Sequence, residues 1–419
     1  MTIRPAAKGH VLLAWEQGAG LGHVAPLALL AQAYHAAGWQ VSVAAADLEP
    51  VGQMNWPPAA TLWQGPAFTR ALAQPQAAEG TGSNAPLAVA NMSSVLLNSG
   101  WNQGPTLEAM ARAWLTLMAR IRPTLVLTDY APAAAWVARS LAIPCVNAGV
   151  WSVPVPGNPM PALRWWNPAA PGICRHHDEM LLERVDLVAK SSGLRPWQQA
   201  ADAWAADLSV LTTVPALDHG LALGQPRQCS GVLASPQLLA EAGSARWPAG
   251  AGPRVLVYLP PTSPAVGPVL QALQHCGAVV VAVLPGVTAS EHRLWRASRT
   301  VVYGGPVNLD PALGQATAVV TAGNHGTTAQ ALSHGLPVLA LPDQLERQCN
   351  AMALHRSGAG LTPESPANPA QLECLLRQLL RGHCTAAAQA ASHEEPAGHL
   401  PSHVAANIAA ASEAWRCPP

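Results

Sequence analysis

The stretch His10–Ala45, HVLLAWEQGAGLGHVAPLALLAQAYHAAGWQVSVAA, decides the fold. His10 to Glu16 is a short apolar run that reads as a buried strand. The Gly-rich turn Gln17-Gly18-Ala19-Gly20-Leu21-Gly22-His23 follows it. Leu27, Leu30, Ala31 and Tyr34 then recur at helical spacing up to Gly38, a C-terminal stop. Val41 to Ala45 is the next strand. Strand, tight turn, helix and strand form the repeating unit of a parallel sheet with helices on its faces.

Working outward, the alternation continues. Leu107–Met118 reads as a helix, Thr124–Thr128 as a strand ending at Asp129, Ala133–Leu141 as a helix and Pro144–Ala148 as a strand. Between Glu49 and Gln103 the chain is rich in Pro, Gly and Gln, and its helical pieces have no legible order. Val150–Trp166 is a Pro- and Trp-rich loop. After Ala234–Pro253, rich in Ala, Gly, Pro and Ser, the pattern restarts. Arg254–Leu259, Ala278–Leu284, Thr300–Tyr303, Ala318–Thr321 and Pro337–Leu341 read as strands, with helices at Val266–His275 and Gly326–His334. Val404, Ile408, Ala411 and Trp415 lie on one face of a last helix. The expected class is α/β, with two Rossmann-like, doubly wound parallel-sheet domains facing across a cleft. Ligands of such sheets bind at the carboxyl ends of the strands.

Composition narrows the function. The 419 residues are half apolar, which excludes global disorder and suggests two or three domains. Lysine and arginine number 23, as do aspartate and glutamate, so no basic field exists for nucleic acid or anionic lipid. With one Phe and four Tyr against fifteen Trp, the cores must be built from Ala, Leu and Val. No run of about 20 apolar residues suits a membrane span, and Met1–His10 lacks the pattern of a signal peptide. The eight Cys are scattered without close pairs, so reduced thiols in the cytoplasm are expected. Cys174-Arg175-His176-His177 offers metal-ligand types, but adjacent residues rarely face one ion, and no metal is expected.

Three places carry chemistry. Gly18-Ala19-Gly20-Leu21-Gly22-His23 joins a strand to a helix, and glycines there let a ligand approach backbone N–H groups. The spacing is not G-x-G-x-x-G. Asp47, ending the second strand, stands where a ribose-binding acid would, so an NAD-dependent dehydrogenase is one alternative. His23 is exposed at the sheet's carboxyl edge, where a general base is useful; its bland role is a polar helix-start residue. Asp129 reaches the same edge and can hold the His23 tautomer, or merely cap the next helix. Thr321-Ala322-Gly323-Asn324-His325-Gly326-Thr327-Thr328 ends a strand and starts a helix. N–H groups and hydroxyls there suit a diphosphate, or a capped helix without ligand.

These residues carry a resemblance over nearly the whole chain. The sequence resembles the nucleotide-sugar-dependent glycosyltransferases of the GT-B fold, in the family of UDP-glycosyltransferases and macrolide-type transferases. Gly22-His23, Pro26 and Gly38 resemble the N-terminal G-H-x-x-P…G pattern, whose His deprotonates the acceptor, and Thr128-Asp129 resembles the paired acid. Leu211–Asp218 resembles the segment before the interdomain linker of bacterial members. Gly326-Thr327…Gln330-Ala331-Leu332…Gly335-Leu336-Pro337…Pro342…Glu346…Asn350-Ala351…Gly358-Ala359-Gly360 follows the donor signature.

The resemblance implies an acceptor domain over 1–233, a linker at 234–253, a donor domain over 254–400 and a helix at 401–419 packing back on the first domain. It implies that His23 and Asp129 are catalytic in an inverting displacement, with no metal or resident cofactor. Gly323, Asn324, His325, Gly326, Thr327 and Thr328 would hold the donor diphosphate, and Gln330, Glu346, Arg347 and Asn350 the ribose and sugar. Pro306 and Val307 would meet the base. Gly22, Trp101, Trp136, Trp151 and Trp165 would line an apolar acceptor pocket, the bland alternative being that the Trp are ordinary core or surface residues. The partners implied are a UDP- or TDP-linked sugar and a small apolar acceptor, in a monomer or homodimer. The family's phosphate-contacting His falls on Ala322, its second loop Gly on Asn324, its ribose-contacting Glu on Gln330, and its Asp-Gln pair on Glu346-Arg347. These departures keep alive a non-catalytic, nucleotide-sugar-binding or auxiliary protein, beside a sugar-nucleotide epimerase or dehydrogenase.

Overall fold

The computed structural model describes residues 8–18, 20–67, 86–233, 243–363, 367–394 and 401–416. By its contacts the chain divides into two units, Met1–Thr212 with Ser402–Pro419, and Thr213–Pro401.

The first unit holds a parallel sheet in the order β3-β2-β1-β4-β5-β6. Its strands are β1 His10–Trp15, β2 Gln40–Ala45, β3 Thr61–Gln64, β4 Leu125–Asp129, β5 Cys145–Ala148 and β6 Leu208–Val210. The inner strands are apolar runs because helices cover both faces of the sheet. Helix Leu21–Ala36 buries Val24, Leu27, Ala28, Ala31 and Tyr34 at helical spacing. It starts well before Leu27, directly after Gly20, so His23 lies in its first turn. Gly38, at φ 87°, takes the left-handed conformation that ends it. Helix Pro401–Arg416 belongs to this unit: Val404, Ala405, Ile408 and Ala409 are buried, and the Tyr34 hydroxyl donates to Ser412 Oγ at 2.8 Å.

The second unit repeats the topology. Its sheet runs β12-β11-β10-β7-β8-β9, all parallel. The strands are β7 Arg254–Tyr258, β8 Val279–Val283, β9 Thr300–Tyr303, β10 Ala318–Thr321, β11 Val338–Ala340 and β12 Gly360–Leu361. Each sheet therefore reverses its winding beside its own first strand, between β1 and β4 and between β7 and β10. That reversal splays the following loops apart and opens a crevice at the carboxyl edge.

Residues 213–233 join the second unit because Val214, Leu217 and Val232 pack into one of its apolar clusters. The contact boundary thus precedes the linker expected at 234–253, of which 234–242 lie outside the described residues.

Candidate active site

In the first unit, β1 ends at Trp15 directly opposite Asp129, the last residue of β4. The loops beyond them open at the winding reversal, and one carries His23 back over Asp129. His23 Nδ1 lies 3.0 Å from Asp129 Oδ2. The side chains keep only 14% and 8% of their exposure, so water screens the pair weakly. The imidazole stacks on Trp15 at 5.5 Å between ring centres, with Tyr130 at 6.3 Å on a tilted plane. An ionised carboxylate can only accept, so the neutral ring carries its proton on Nδ1 and its lone pair on Nε2. Gly18 is needed beside it: its φ is +87°, and a Cβ there would stand 2.2 Å from Nε2.

Glu16 was not legible as a site residue. It is buried, and its carboxyl accepts from Ala133 N at 3.1 Å and Ala134 N at 2.5 Å. These amides open helix Pro132–Ser140. Burial outweighs the two N–H bonds and pushes the Glu16 pKa up to about 8. The neighbouring Gln17 N donates to Tyr130 O at 3.1 Å. The loop after β1 is thereby tied to the loop after β4. A polar residue ending an apolar strand was its only sequence signal.

The acceptor-pocket reading needs correction at two positions. Trp101 and Trp136 are fully buried and pack with Trp197, at ring-centre distances of 5.4–6.4 Å. Three indoles bury more apolar area against one another than on an open wall, so they form core. Gly22 is exposed in the first helical turn. Trp151 is buried on the loop after β5, and half-buried Trp165 packs edge-on against Trp166.

In the second unit, β10 delivers the loop Ala322–Asn324 to helix His325–Ser333. Gly323 has φ +82°, and a Cβ there would lie 2.7 Å from Arg347 O. Thr321 Oγ1 accepts from Gly323 N at 2.9 Å and contacts Thr328 Oγ1 at 3.2 Å. Asn324 Nδ2 donates to Thr327 Oγ1 at 2.8 Å. Both hydroxyls of Thr327 and Thr328 thus shape the loop from within. The first-turn N–H groups of His325, Gly326 and Thr327 have no acceptor inside their helix.

Several expected donor contacts are redirected. Asn350 is wholly buried; its Nδ2 donates to Gly323 O at 3.0 Å, and its Oδ1 meets His219 Nε2 at 3.0 Å. With both amide ends engaged, it braces the loop instead of reaching a ribose or sugar. His325 Nε2 lies 2.7 Å from Thr213 Oγ1. Desolvation, then repulsion from His219, pushes its pKa down to about 4, so it offers no charge to a phosphate. Val307 packs its side chain into the core, which leaves Pro306 as the exposed member of that pair. Arg347 Nη1 donates to both Asp343 oxygens, at 2.7 and 2.9 Å. Gln330 and Glu346 are half-buried.

Thr213 and His219 were missed because their partners lie far along the chain. Burial pushes the His219 pKa down to about 4. A buried base with a lowered pKa favours folding above its unfolded value of 6.5 and loses that contribution as pH falls towards 4. The second unit should lose about 3 kcal/mol from His219 over that window. Thermal unfolding across pH 4–6.5 checks this: His219→Gln should show a shallower decline, and an equal decline would exclude His219 as a source.

A cavity of about 630 Å³ lined by Arg246, Trp247, Arg296 and Tyr303 lies along edge strand β9, apart from the loop after β10. Among the described residues no three of His, Cys, Asp and Glu gather as a metal site. Cys174 and His177 turn into the protein while His176 faces out.

Residues 269–411 match the model of the Erythromycin biosynthesis protein CIII-like C-terminal domain. The chain is similar in fold to solved glycosyltransferases over most of its length. A calicheamicin glycosyltransferase, CalG4, gives a TM-score of 0.69 at 16% identity, with 99% of this chain and 100% of that one covered. VinC, solved with DTDP, gives 0.66 at 18% identity over 96% and 99%. SsfS6 of Streptomyces sp. SF2575, solved with thymidine diphosphate, gives 0.63 at 20% identity over 96% and 99%. The chain has the GT-B fold. No curated protein matches it in a sequence search.

Within this GT-B chain the two reversal points carry different chemistry. The first holds an imidazole hydrogen-bonded to a carboxylate. The second holds a helix start whose loop is built from within by hydroxyls and an asparagine. Among the described residues no helix is long and apolar enough to cross a membrane.

Proposed function

We propose that this chain is an inverting glycosyltransferase that moves a sugar from a TDP- or UDP-linked donor to a hydroxyl of a small apolar acceptor. The observation that carries the reading is the His23–Asp129 pair, with Nδ1 held at 3.0 Å and Nε2 left as the basic nitrogen. His23 Nε2 takes the acceptor's hydroxyl proton as its oxygen attacks the anomeric carbon. Asp129 keeps the tautomer and stabilises the imidazolium. The bond to the nucleoside diphosphate breaks in the same displacement, without a metal or covalent intermediate. The first-turn N–H groups of His325, Gly326 and Thr327 stabilise charge gathering on the leaving diphosphate. Neighbours solved with thymidine diphosphate favour TDP over UDP as the carrier.

The test is a thermal-shift comparison of TDP and UDP, followed by a transfer assay with their sugars and hydroxylated apolar acceptors. Absence of binding by both nucleotides would defeat the reading. Thr327→Val should weaken nucleotide binding about 10- to 100-fold, because Asn324 loses its partner and the loop its shape. Isothermal titration measures it, and an unchanged Kd would place the diphosphate elsewhere.

A second reading, a nucleotide-sugar-binding protein without transfer, is favoured by Ala322. That residue sits inside an apolar cluster of the second sheet, where it offers no hydrogen bond. Tight TDP binding with no turnover would select it.

A further inference from the structure

We infer that Ser152 is a positioning residue that fixes the Asp129 carboxylate for His23. Asp129 is held at both oxygens: Oδ2 by His23 Nδ1 at 3.0 Å, and Oδ1 by Ser152 Oγ at 3.1 Å. The direction of the second bond follows from the hydroxyl's other partner. Tyr130 N donates to Ser152 Oγ at 2.5 Å, and a carboxylate can only accept. The hydroxyl therefore gives its single proton to Asp129. Tyr130 N–H, Ser152 O–H, Asp129 and His23 N–H form one ordered chain.

Two backbone features tighten it. Tyr130 follows the acid at φ 47°, a left-handed conformation costly for a bulky residue. Its peptide N–H and C=O are both bonded, to Ser152 Oγ and from Gln17 N. On the other side stands Gly149, at φ +143°. A Cβ there would lie 2.6 Å from Asp129 Oδ1 and 2.8 Å from Ser152 Oγ. Only glycine lets the loop after β5 close on the acid this tightly. Ser152 is itself buried, so no water competes freely for its bond.

The consequence is geometric. With Oδ1 fixed by Ser152, the carboxylate cannot swing, and Oδ2 stays on Nδ1. Nε2 then remains the proton-accepting nitrogen. The rate consequence rests on the transferase reading; the tautomer does not.

The experiment follows the His23 ring nitrogens by ¹⁵N NMR in the full chain, at a pH where the ring is neutral. The wild type should show predominantly the Nδ1–H tautomer. Ser152→Ala should move the population towards the mixture of an unrestrained imidazole, and Asp129→Asn should do so further. In transfer, Ser152→Ala should lower kcat about 10- to 100-fold with donor KM unchanged. That loss should disappear when Ser152→Ala is made in the Asp129→Asn background. If Ser152→Ala does not fold, Ser152→Cys, a weaker donor of similar shape, should give an intermediate tautomer shift. An unchanged tautomer in the folded variant, Ala or Cys, overturns the proposal. So does an equal kcat loss in the Asp129→Asn background. A shifted tautomer in a chain that transfers no sugar would uphold Ser152 while defeating the transferase reading.

Discussion

His23→Ala is expected to lower kcat for glycosyl transfer by about 10²–10⁴-fold, the range that general-base catalysis supplies. Nucleotide Kd should stay within experimental error, because the loop proposed to hold the diphosphate belongs to the other unit. The loss follows from the arrangement of the ring. Trp15 supports its face, Asp129 holds Nδ1, and Gly18 keeps a Cβ away from Nε2. An alanine keeps none of these and offers no base to the acceptor hydroxyl. Asp129→Asn should approach the same loss, since an amide that turns its NH₂ to the ring selects the wrong tautomer. Steady-state kinetics with titrated nucleotide binding separates the two effects. Full activity in His23→Ala would remove His23 as the base.

The stability of the first unit should fall by about 2 kcal/mol between pH 6.5 and 8.5, and Glu16→Gln should flatten that fall. The sign follows from proton binding. Burial raises the Glu16 pKa from 4.5 to about 8, so the folded chain holds a proton there that the unfolded chain has released. Stability from this group is complete below pH 4.5 and is lost as pH rises through about 8. Each pH unit inside the window changes it by about 1.4 kcal/mol. Buried histidines do not mask the trend, because His219 and His325 titrate below the window. Glutamine has no proton to lose, but it can accept at only one of its two ends. Its stability at acid pH should therefore drop by about 1 kcal/mol for the weakened bond to Ala133 or Ala134. Urea unfolding followed by Trp fluorescence measures both. The same slope in Glu16→Gln as in wild type would exclude Glu16 as the source.

Much of the fold was legible because parallel strands covered on both faces need uninterrupted apolar runs. LVLTD at β4 and VVVAV at β8 are such runs. The edge strands β3 and β6, TLWQ and LSV, were not legible, because one side of each strand has no neighbour and little of it is buried. The contact boundary at 212/213 was not legible for a related reason. Composition is local, whereas Val214 and Leu217 join the second unit by packing across a long sequence separation. The tryptophans show the same limit: Trp101 and Trp136 have the composition of a pocket wall and the burial of a core.

The sequence by itself determined that two sheets would each present glycine loops at a carboxyl edge, and that His23 and Asp129 would reach the same one. Strand length, turn residues and helical spacing are local, so they can be read locally. Only the tertiary structure decided which atoms meet there. Glu16 on the amides of a helix start, Ser152 on the far oxygen of Asp129, Asn350 on Gly323 and His325 on Thr213 are pairings between residues remote in the chain. A buried polar group must find a partner wherever packing brings one. Which partner that is follows from how the sheets stack their loops, and no local pattern encodes it.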